Sequence, residues 1–219
     1  MFILSIKCVI IVFMGSADHQ DISIRGTDET RLTDTQVNTL ADNLATAIEQ
    51  REHEAGFNIG QIREQVRAQA FGYFQESMTK LRDENLLVSA EHNGEIVGTA
   101  GLKNIGIDPY SGNPVWEIVH VSVLPTARGS GLKAGSQLMT QVQQEIFSRD
   151  PNALIVMRST EPNILEWAKR RNFRTLSFVE LWKIENGTTD IPLRELEWQR
   201  KRDANEKDTR VYVLYPEER

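Results

Sequence analysis

The chain has 219 residues and a formal net charge of −6, with 40% hydrophobic and 26% charged residues. This length and composition predict a single globular domain with a sizeable core. The acidic balance gives no general electrostatic reason to bind nucleic acid, so we expect no nucleic-acid partner. Cys8 is the only cysteine and the four histidines are scattered, so the sequence predicts neither an intrachain disulfide nor a metal site.

The chain opens with an apolar run, Met1 to Met14. We therefore predict an apolar extension over residues 1–19, followed by a single domain over residues 20–219. The run has the character of a signal-peptide h-region, but Lys7 interrupts it, and it is shorter than the roughly 20 apolar residues of a membrane span. Three interpretations stay open: translation that starts at Met14, export, and a weak anchor or oligomerisation arm. We expect a cytoplasmic protein with no membrane partner.

Hydrophobic periodicity predicts a mixed α/β order along the domain. In chain order, the patterns predict a strand at Asp21–Arg25, helices at Thr35–Gln50 and from about Ile62 to Leu81, strands at Leu86–Glu91, Glu95–Gly101 and Val115–Leu124, a helix around Leu138–Ile146, a strand at Ala153–Arg158, a helix from Pro162 to about Arg171, and strands at Phe178–Ile184 and Val211–Tyr215. Asn93 and Gly94 predict a tight hairpin turn. The stretch Arg194–Arg210 alternates acids and bases, which is typical of a solvated helix or excursion.

The segment Val121 to Lys133 places a strand, a glycine-rich turn and a helix start in succession. Glycines let the main chain approach a phosphate closely, and a helix N-terminus offers unsatisfied N–H groups with a positive partial charge. The segment therefore predicts a site for a pyrophosphate. Arg128 and Lys133 are candidates for charge-assisted contacts, or else solvated surface residues.

The same glycines also satisfy the dinucleotide fingerprint G-x-G-x-x-G/A, through Gly129, Gly131 and Ala134. A dinucleotide fold needs the glycines directly after the strand, within a parallel βαβ unit, and an acidic residue at the end of the next strand. Here four residues intervene after the strand, antiparallel strands precede the motif, and the next predicted strand ends in Arg158. NAD(P) binding is therefore the weaker interpretation.

Together with its flanks, this segment resembles the central acetyl-CoA motif of the GNAT superfamily of N-acetyltransferases. The resemblance rests on EIVHVSVLP from Glu117 to Pro125 and on RGSG from Arg128 to Gly131. The family form R/Q-x-x-G-x-G/A corresponds to Arg128, Gly131 and then Lys133, where the family has Gly or Ala. That departure indicates a small insertion, or Gly135 in the role of the displaced glycine.

A second stretch, Asn163 to Phe173, resembles the helix and strand junction N-x-x-A…Y-x-x-x-G-F of the same family, with Asn172 in place of the glycine. The resemblance covers the chain from about residue 20 onward and implies an α/β GNAT fold, a mixed, mostly antiparallel sheet flanked by helices. It also implies acetyl-CoA as co-substrate. The implied binding residues are Val121, Ser122, Val123, Arg128, Gly129, Ser130, Gly131, Lys133 and Asn163.

Acetyl transfer to a primary amine needs a base, because an amine with a pKa of about 10.4 is protonated at neutral pH. By strict alternation, Glu117 shares a strand face with Val119, Val121 and Val123, so a carboxylate stands in an apolar row. The resemblance implies that Glu117 is the general base, acting through water. The alternative is a glutamate at a strand end that faces water.

His120 is the second candidate base, since its ordinary pKa of about 6.5 leaves it largely neutral, but alternation places it on the opposite face from Glu117. The family often uses a tyrosine to protonate the leaving thiolate, and the aligned position here is Ala168. Two alternatives stay open: another hydroxyl, such as that of Tyr215 or Tyr110, substitutes for it, or the thiolate leaves unassisted or through water.

The sequence thus predicts an N-acetyltransferase that transfers an acetyl group from acetyl-CoA to an amine acceptor by direct attack in a ternary complex. The acceptor class stays open between small amines, peptide N-termini and lysines. The alternative is a non-catalytic acyl-CoA-binding module, which the missing tyrosine and the altered glycine turn favour. The resemblance is compatible with a monomer or a homodimer.

Overall fold

The computed structural model describes residues 22–54, 63–128, 133–159, 162–205 and 210–214. Over these residues the chain forms seven strands and six α-helices in a mixed order. The strands are β1 (Ser23–Arg25), β2 (Leu87–His92), β3 (Glu95–Ile107), β4 (Pro114–Val123), β5 (Leu154–Ser159), β6 (Arg174–Leu176) and β7 (Arg210–Leu214), and the helices are α1 (Asp34–Glu54), α2 (Arg63–Asp83), α3 (Ala134–Arg149), α4 (Pro162–Arg170), α5 (Phe178–Asn186) and α6 (Leu193–Asn205).

All seven strands belong to one sheet, in the order β1-β2-β3-β4-β5-β7-β6. The β4–β5 pair is parallel, and every other pair is antiparallel. The prediction of a mixed, mostly antiparallel α/β sheet flanked by helices is therefore confirmed.

Helices cover both faces of the sheet. The buried residues of α1 and α2 form one apolar cluster with Leu87 and Val119, and those of α5 form another with Val115 and Val156 on the same face. The opposite face carries α3 and α4, whose buried side chains pack with Ile118 and with other strand residues. Burial of these stripes explains why the periodic segments are helical.

The two long helices follow the predicted apolar stripes. The stripe residues Val37, Leu40, Ala41, Leu44, Ala45 and Ile48 of α1, and Val66, Ala70, Phe74, Met78 and Leu81 of α2, are all buried. The hairpin between β2 and β3 turns where predicted, because Asn93 and Gly94 both take positive φ angles, of 54° and 80°.

The prediction of a strand over Phe178–Ile184 is wrong, because this segment lies in helix α5. Ser177 and Glu180 form a reciprocal capping box that begins the helix, and each side chain bonds the other's backbone N–H group. Phe178, Leu181 and Ile184 recur every three residues, and all three are buried. The charged stretch after it contains a helix, as predicted, from Leu193 to Asn205.

In the part of the chain that the structure describes, no helix is both long and apolar enough to cross a membrane. The predicted extension over residues 1–19 lies outside that part.

Candidate functional site

Strands β4 and β5 run side by side and then separate. Their parallel pairing extends from Val115 and Leu154 to Ile118 and Met157. β4 continues for five more residues to Val123, held by β3 on its other edge. Within the described residues no β4–β5 pair follows Ile118, so the second half of β4 presents a main-chain edge toward the gap. We call this separation the fork.

A β-bulge lies in β4 immediately beyond the fork. Val119 pairs with Gly101 and Ser122 with Thr99, so two residues of β4 oppose one residue of β3. The bulged residue is His120, which has a φ of 51°, an uncommon angle for a residue with a side chain.

The bulge corrects the predicted face assignment. Val119 packs in the α1–α2 cluster, whereas Val121 and Val123 pack in the α3–α4 cluster. The prediction that Glu117 shares a face with all three valines is therefore wrong for Val121 and Val123, because strict alternation ends at the bulge.

Glu117 is buried beside the fork, with only 1% of its surface exposed. The guanidinium of Arg158 donates to both carboxylate oxygens, Nε to Oε1 at 2.5 Å and a second nitrogen to Oε2 at 2.8 Å. Glu117 precedes the last paired residue of β4, and Arg158 follows the last paired residue of β5. The ion pair thus bridges the two strands where they separate, and Glu117 is not a strand-end glutamate facing water.

The ion pair extends to helix α5. Glu185 Oε1 lies 3.5 Å from the Arg158 guanidinium, so this cation lies between two carboxylates. Burial raises the pKa of Glu185, and the neighbouring Arg158 acts in the opposite direction. Glu117 thus lies between Val115 of the α5 cluster and Val119 of the α1–α2 cluster, and its charged partners separate the two apolar clusters on this face of the sheet.

His120 is buried as well, and its ring packs against α2. Nε2 lies 2.7 Å from Ser77 Oγ, and Tyr73 and Phe74 contact the ring edge-to-face. Burial, and secondarily the charge of Lys103, lowers the pKa of His120 to about 4, so the imidazole is neutral at pH 7. The prediction that His120 lies on the face opposite Glu117 is wrong, because the bulge turns it toward the helices on Glu117's face.

The chain leaves β4 through a 3₁₀ turn, Pro125–Ala127, and reaches Arg128. Arg128 Nε donates to the Val123 carbonyl at 2.7 Å, and its NH2 group donates to Asn43 Oδ1 of α1 at 2.9 Å. The Asn43 amide in turn donates to Ser122 Oγ at 2.7 Å and to the Val123 carbonyl at 3.3 Å. These bonds direct the guanidinium toward β4 and α1. The predicted contact of Arg128 with a phosphate stays a prediction.

Helix α3 begins directly after the glycine-rich turn. Lys133 is its N-cap in a left-handed conformation, with a φ of 51°, and the Lys133 side chain makes no capping hydrogen bond. The first N–H groups of α3 are the kind of donors that bind anions at helix N-termini. The predicted contacts Gly129, Ser130 and Gly131 lie outside the described residues.

The sequence model of the acetyltransferase (GNAT) family matches residues 47–173. The chain belongs to the GNAT family. The matched range spans β2 to β5, the bulge, the fork and the whole of α4. No curated protein matches the chain.

Solved structures share the GNAT fold at low sequence identity. A protein from Pyrococcus horikoshii OT3 is 13% identical with a TM-score of 0.53, over 89% of this chain and 98% of that one. An acetyltransferase from Streptococcus agalactiae 2603 is 14% identical with a TM-score of 0.52, over 90% and 99% of the two chains. N-acetylglutamate synthase from Neisseria gonorrhoeae, complexed with coenzyme A and N-acetyl-glutamate, is 17% identical with a TM-score of 0.46, and this chain spans 36% of its length.

Ala168, which the sequence resemblance aligns with the family tyrosine, is fully buried in α4. Tyr110 does not replace it, because it lies in the turn before β4, with 64% of its surface exposed and its hydroxyl on Lys183. About 20 Å of strand separates Pro114, the first residue of β4, from His120 at the bulge, at roughly 3.3 Å per residue. Tyr215 lies outside the described residues, as does the side chain of Asn163 in the first turn of α4.

Three residues around the site were not among the predicted site residues: Asn43, Ser77 and Arg158. Asn43 and Ser77 stand among polar residues of amphipathic helices, and a contact across 79 positions, such as Asn43 with Ser122, leaves no local signal. Arg158 carried a signal, because a cation at the end of a buried apolar strand needs a partner.

Proposed function

We propose that this GNAT chain transfers an acetyl group from acetyl-CoA to a primary amine by direct attack in a ternary complex. The observation that carries the proposal is the fork between β4 and β5, which is followed along the chain by the N-terminus of α3, where the N-cap side chain makes no capping hydrogen bond. An extended ligand arm can bond the edge of β4 that no longer pairs with β5, while its phosphates meet the N–H groups of the following segment and helix.

The proposed cofactor site follows from that arrangement. The main chain of Val121, Ser122 and Val123 would bond the arm and polarise the thioester carbonyl. The pyrophosphate would lie against the turn and the start of α3, and α4 would close the other side. The residues assigned to the pyrophosphate contact and to the side closed by α4 are Arg128, Gly129, Ser130, Gly131, Lys133 and Asn163. Acetyl-CoA supplies the acetyl group as a thioester.

Glu117 is the proposed general base. The amine nitrogen forms a bond to the acetyl carbon, the carbon–sulfur bond breaks, and the amine proton passes through a water to the Glu117 carboxylate. Arg158 occupies one site on each oxygen, and a carboxylate offers about four lone-pair sites, so room for a water's hydrogen bond remains. The sulfur leaves as a thiolate, which a pKa of about 8.5 for a typical thiol permits near neutral pH.

The first test is a thermal-shift titration with acetyl-CoA, CoA, NADH and NADPH. A ligand at about 100 times its Kd stabilises a protein by about 2.7 kcal/mol. We expect a shift with both CoA species and none with the nicotinamide cofactors. A shift with NADH or NADPH alone would overturn the acyltransferase proposal.

The second test distinguishes an enzyme from a binding module. Glu117→Gln is expected to lower kcat by 10²-fold or more, the low end of general-base catalysis, while CoA affinity stays the same. The matched control is Glu49→Gln, which changes another buried glutamate that pairs with an arginine: Glu49 lies on α1 and its partner Arg63 on α2. Wild-type protein that binds acetyl-CoA but acetylates no amine would support the module instead.

A further inference from the structure

One side chain of α1, Asn43, forms hydrogen bonds with three residues at and after the end of β4. Asn43 Nδ2 donates to Ser122 Oγ and to the Val123 carbonyl, at 2.7 and 3.3 Å. Its Oδ1 accepts from Arg128 at 2.9 Å. An amide offers two N–H donors and two acceptor sites, and Asn43 uses them toward three residues at once.

These bonds close a ring through Asn43, Val123 and Arg128. The Val123 carbonyl accepts from both of the other members, and Arg128 bonds both the carbonyl and the amide oxygen. A ring of this kind fixes the end of β4 relative to the residue that opens the glycine-rich stretch. Ser122 adds a fourth contact, and its side chain is fully buried. The end of β4 is therefore attached to helix α1 through Asn43 as well as to β3.

We propose that Asn43 is a positioning residue for acyl-CoA, which holds Val123 and Arg128 in the arrangement that binds the cofactor. This inference rests on the proposed function, because it assigns Asn43 a task in the same cofactor site. Asn43 does not touch reacting atoms. Its effect comes through the main chain of β4, whose edge the pantetheine arm would bond, and through the backbone that Arg128 starts.

The expected effect is on cofactor affinity. When only a fraction of the protein holds the binding arrangement, the apparent Kd rises in inverse proportion to that fraction. Loss of the bonds to Arg128, a charged group, lowers this fraction by about tenfold. Asn43→Ala should therefore raise the Kd for CoA about tenfold and raise KM for acetyl-CoA, while kcat at saturation changes little.

The experiment is isothermal titration of CoA into the wild type, Asn43→Ala, Asn43→Asp and the control Asn38→Ala. Asn38 is another half-buried asparagine of α1, and its bond goes to Gln75 of α2 rather than to β4. The Asp variant keeps an acceptor for Arg128 and loses both donations to β4, so its Kd should rise less, about threefold. Asn38→Ala should match the wild type. Circular dichroism of each variant checks the fold.

Equal Kd values for the wild type and Asn43→Ala would overturn the inference and leave the proposed function intact. A tenfold loss in Asn38→Ala as well would also overturn it, because the effect would then be a general weakening of α1. Wild-type protein with no measurable CoA binding would overturn the proposed function together with the inference. If Asn43→Ala does not fold, the Asp variant decides: a weaker Kd supports the inference and an unchanged Kd refutes it.

Discussion

Replacement of Arg158 by methionine leaves the Glu117 carboxylate without its bidentate partner. Glu117 is 1% exposed, whereas the Arg158 side chain is 20% exposed. The carboxylate therefore has less contact with water than the guanidinium and depends more on the ion pair. Removing one member of a buried ion pair costs about 3 to 5 kcal/mol, because the remaining charge stays buried and uncompensated. We expect Arg158→Met to lower the free energy of unfolding by about this amount.

The two partners should respond differently. Glu117→Gln preserves the shape of the side chain and leaves Arg158 with partial solvent access and with Glu185, so we expect a smaller loss of about 1 to 3 kcal/mol. The double variant, Glu117→Gln with Arg158→Met, carries no buried charge at residue 117. It should therefore be more stable than Arg158→Met alone, although it has one more substitution.

Urea unfolding at pH 7, followed by tryptophan fluorescence and circular dichroism, measures these differences if the slopes with denaturant stay equal. The control is Arg67→Met, which removes an exposed ion pair with Asp42 and should cost only about 0.2 to 1 kcal/mol. The reasoning fails if Arg158→Met costs no more than this control, or if the double variant is less stable than Arg158→Met.

Two further predictions concern His120 and Ser177. With a folded-state pKa of about 4 and an ordinary value near 6.5, the unfolded chain binds the His120 proton more tightly, so unfolding free energy should rise by about 3 kcal/mol from pH 4 to 6.5. Denaturant unfolding across that range should show a shallower dependence for His120→Asn, which also tolerates the positive φ, and identical slopes would refute the assignment. Ser177→Ala removes a helix cap and should cost about 1 kcal/mol in thermal or urea unfolding, whereas Ser148→Ala, at an exposed serine of α3, should stay within about 0.5 kcal/mol. Equal losses for the two serines would contradict the role of the cap.

The sequence predicts most of the helices and strands, because the spacing of apolar residues along a segment matches the side of it that is buried. Its failure at α5 shows where a pattern is ambiguous. Phe178, Val179 and Trp182 favour a strand by residue type, yet the i, i+3, i+6 spacing of the buried residues is helical. The capping box of Ser177 and Glu180 was the local signal that separates the two interpretations.

The candidate site follows from the sequence only in part. The glycine-rich turn is contiguous in sequence, so its type of ligand can be inferred from residue order. The face assignments failed because a bulge adds one residue to one strand, and positive φ is uncommon even for histidine, so His120 alone does not predict the bulge. The side-chain partners of Glu117 and Arg128, which are Arg158 and Asn43, depend on tertiary packing, since each lies more than 40 positions away.

Strand β7 follows the other described strands in the chain, yet it lies between β5 and β6 in the sheet. During synthesis, β5 is therefore complete before the strand that covers its outer edge exists. About 50 residues separate Ser159 from Arg210, which corresponds to roughly 3 to 10 seconds at about 5–20 residues per second. Throughout that interval the wholly apolar run Leu154–Met157 has an open edge that can pair with another chain. The risk of pairing with another chain thus depends on how long the edge of β5 stays open, and slower translation between β5 and β7 would lengthen that time.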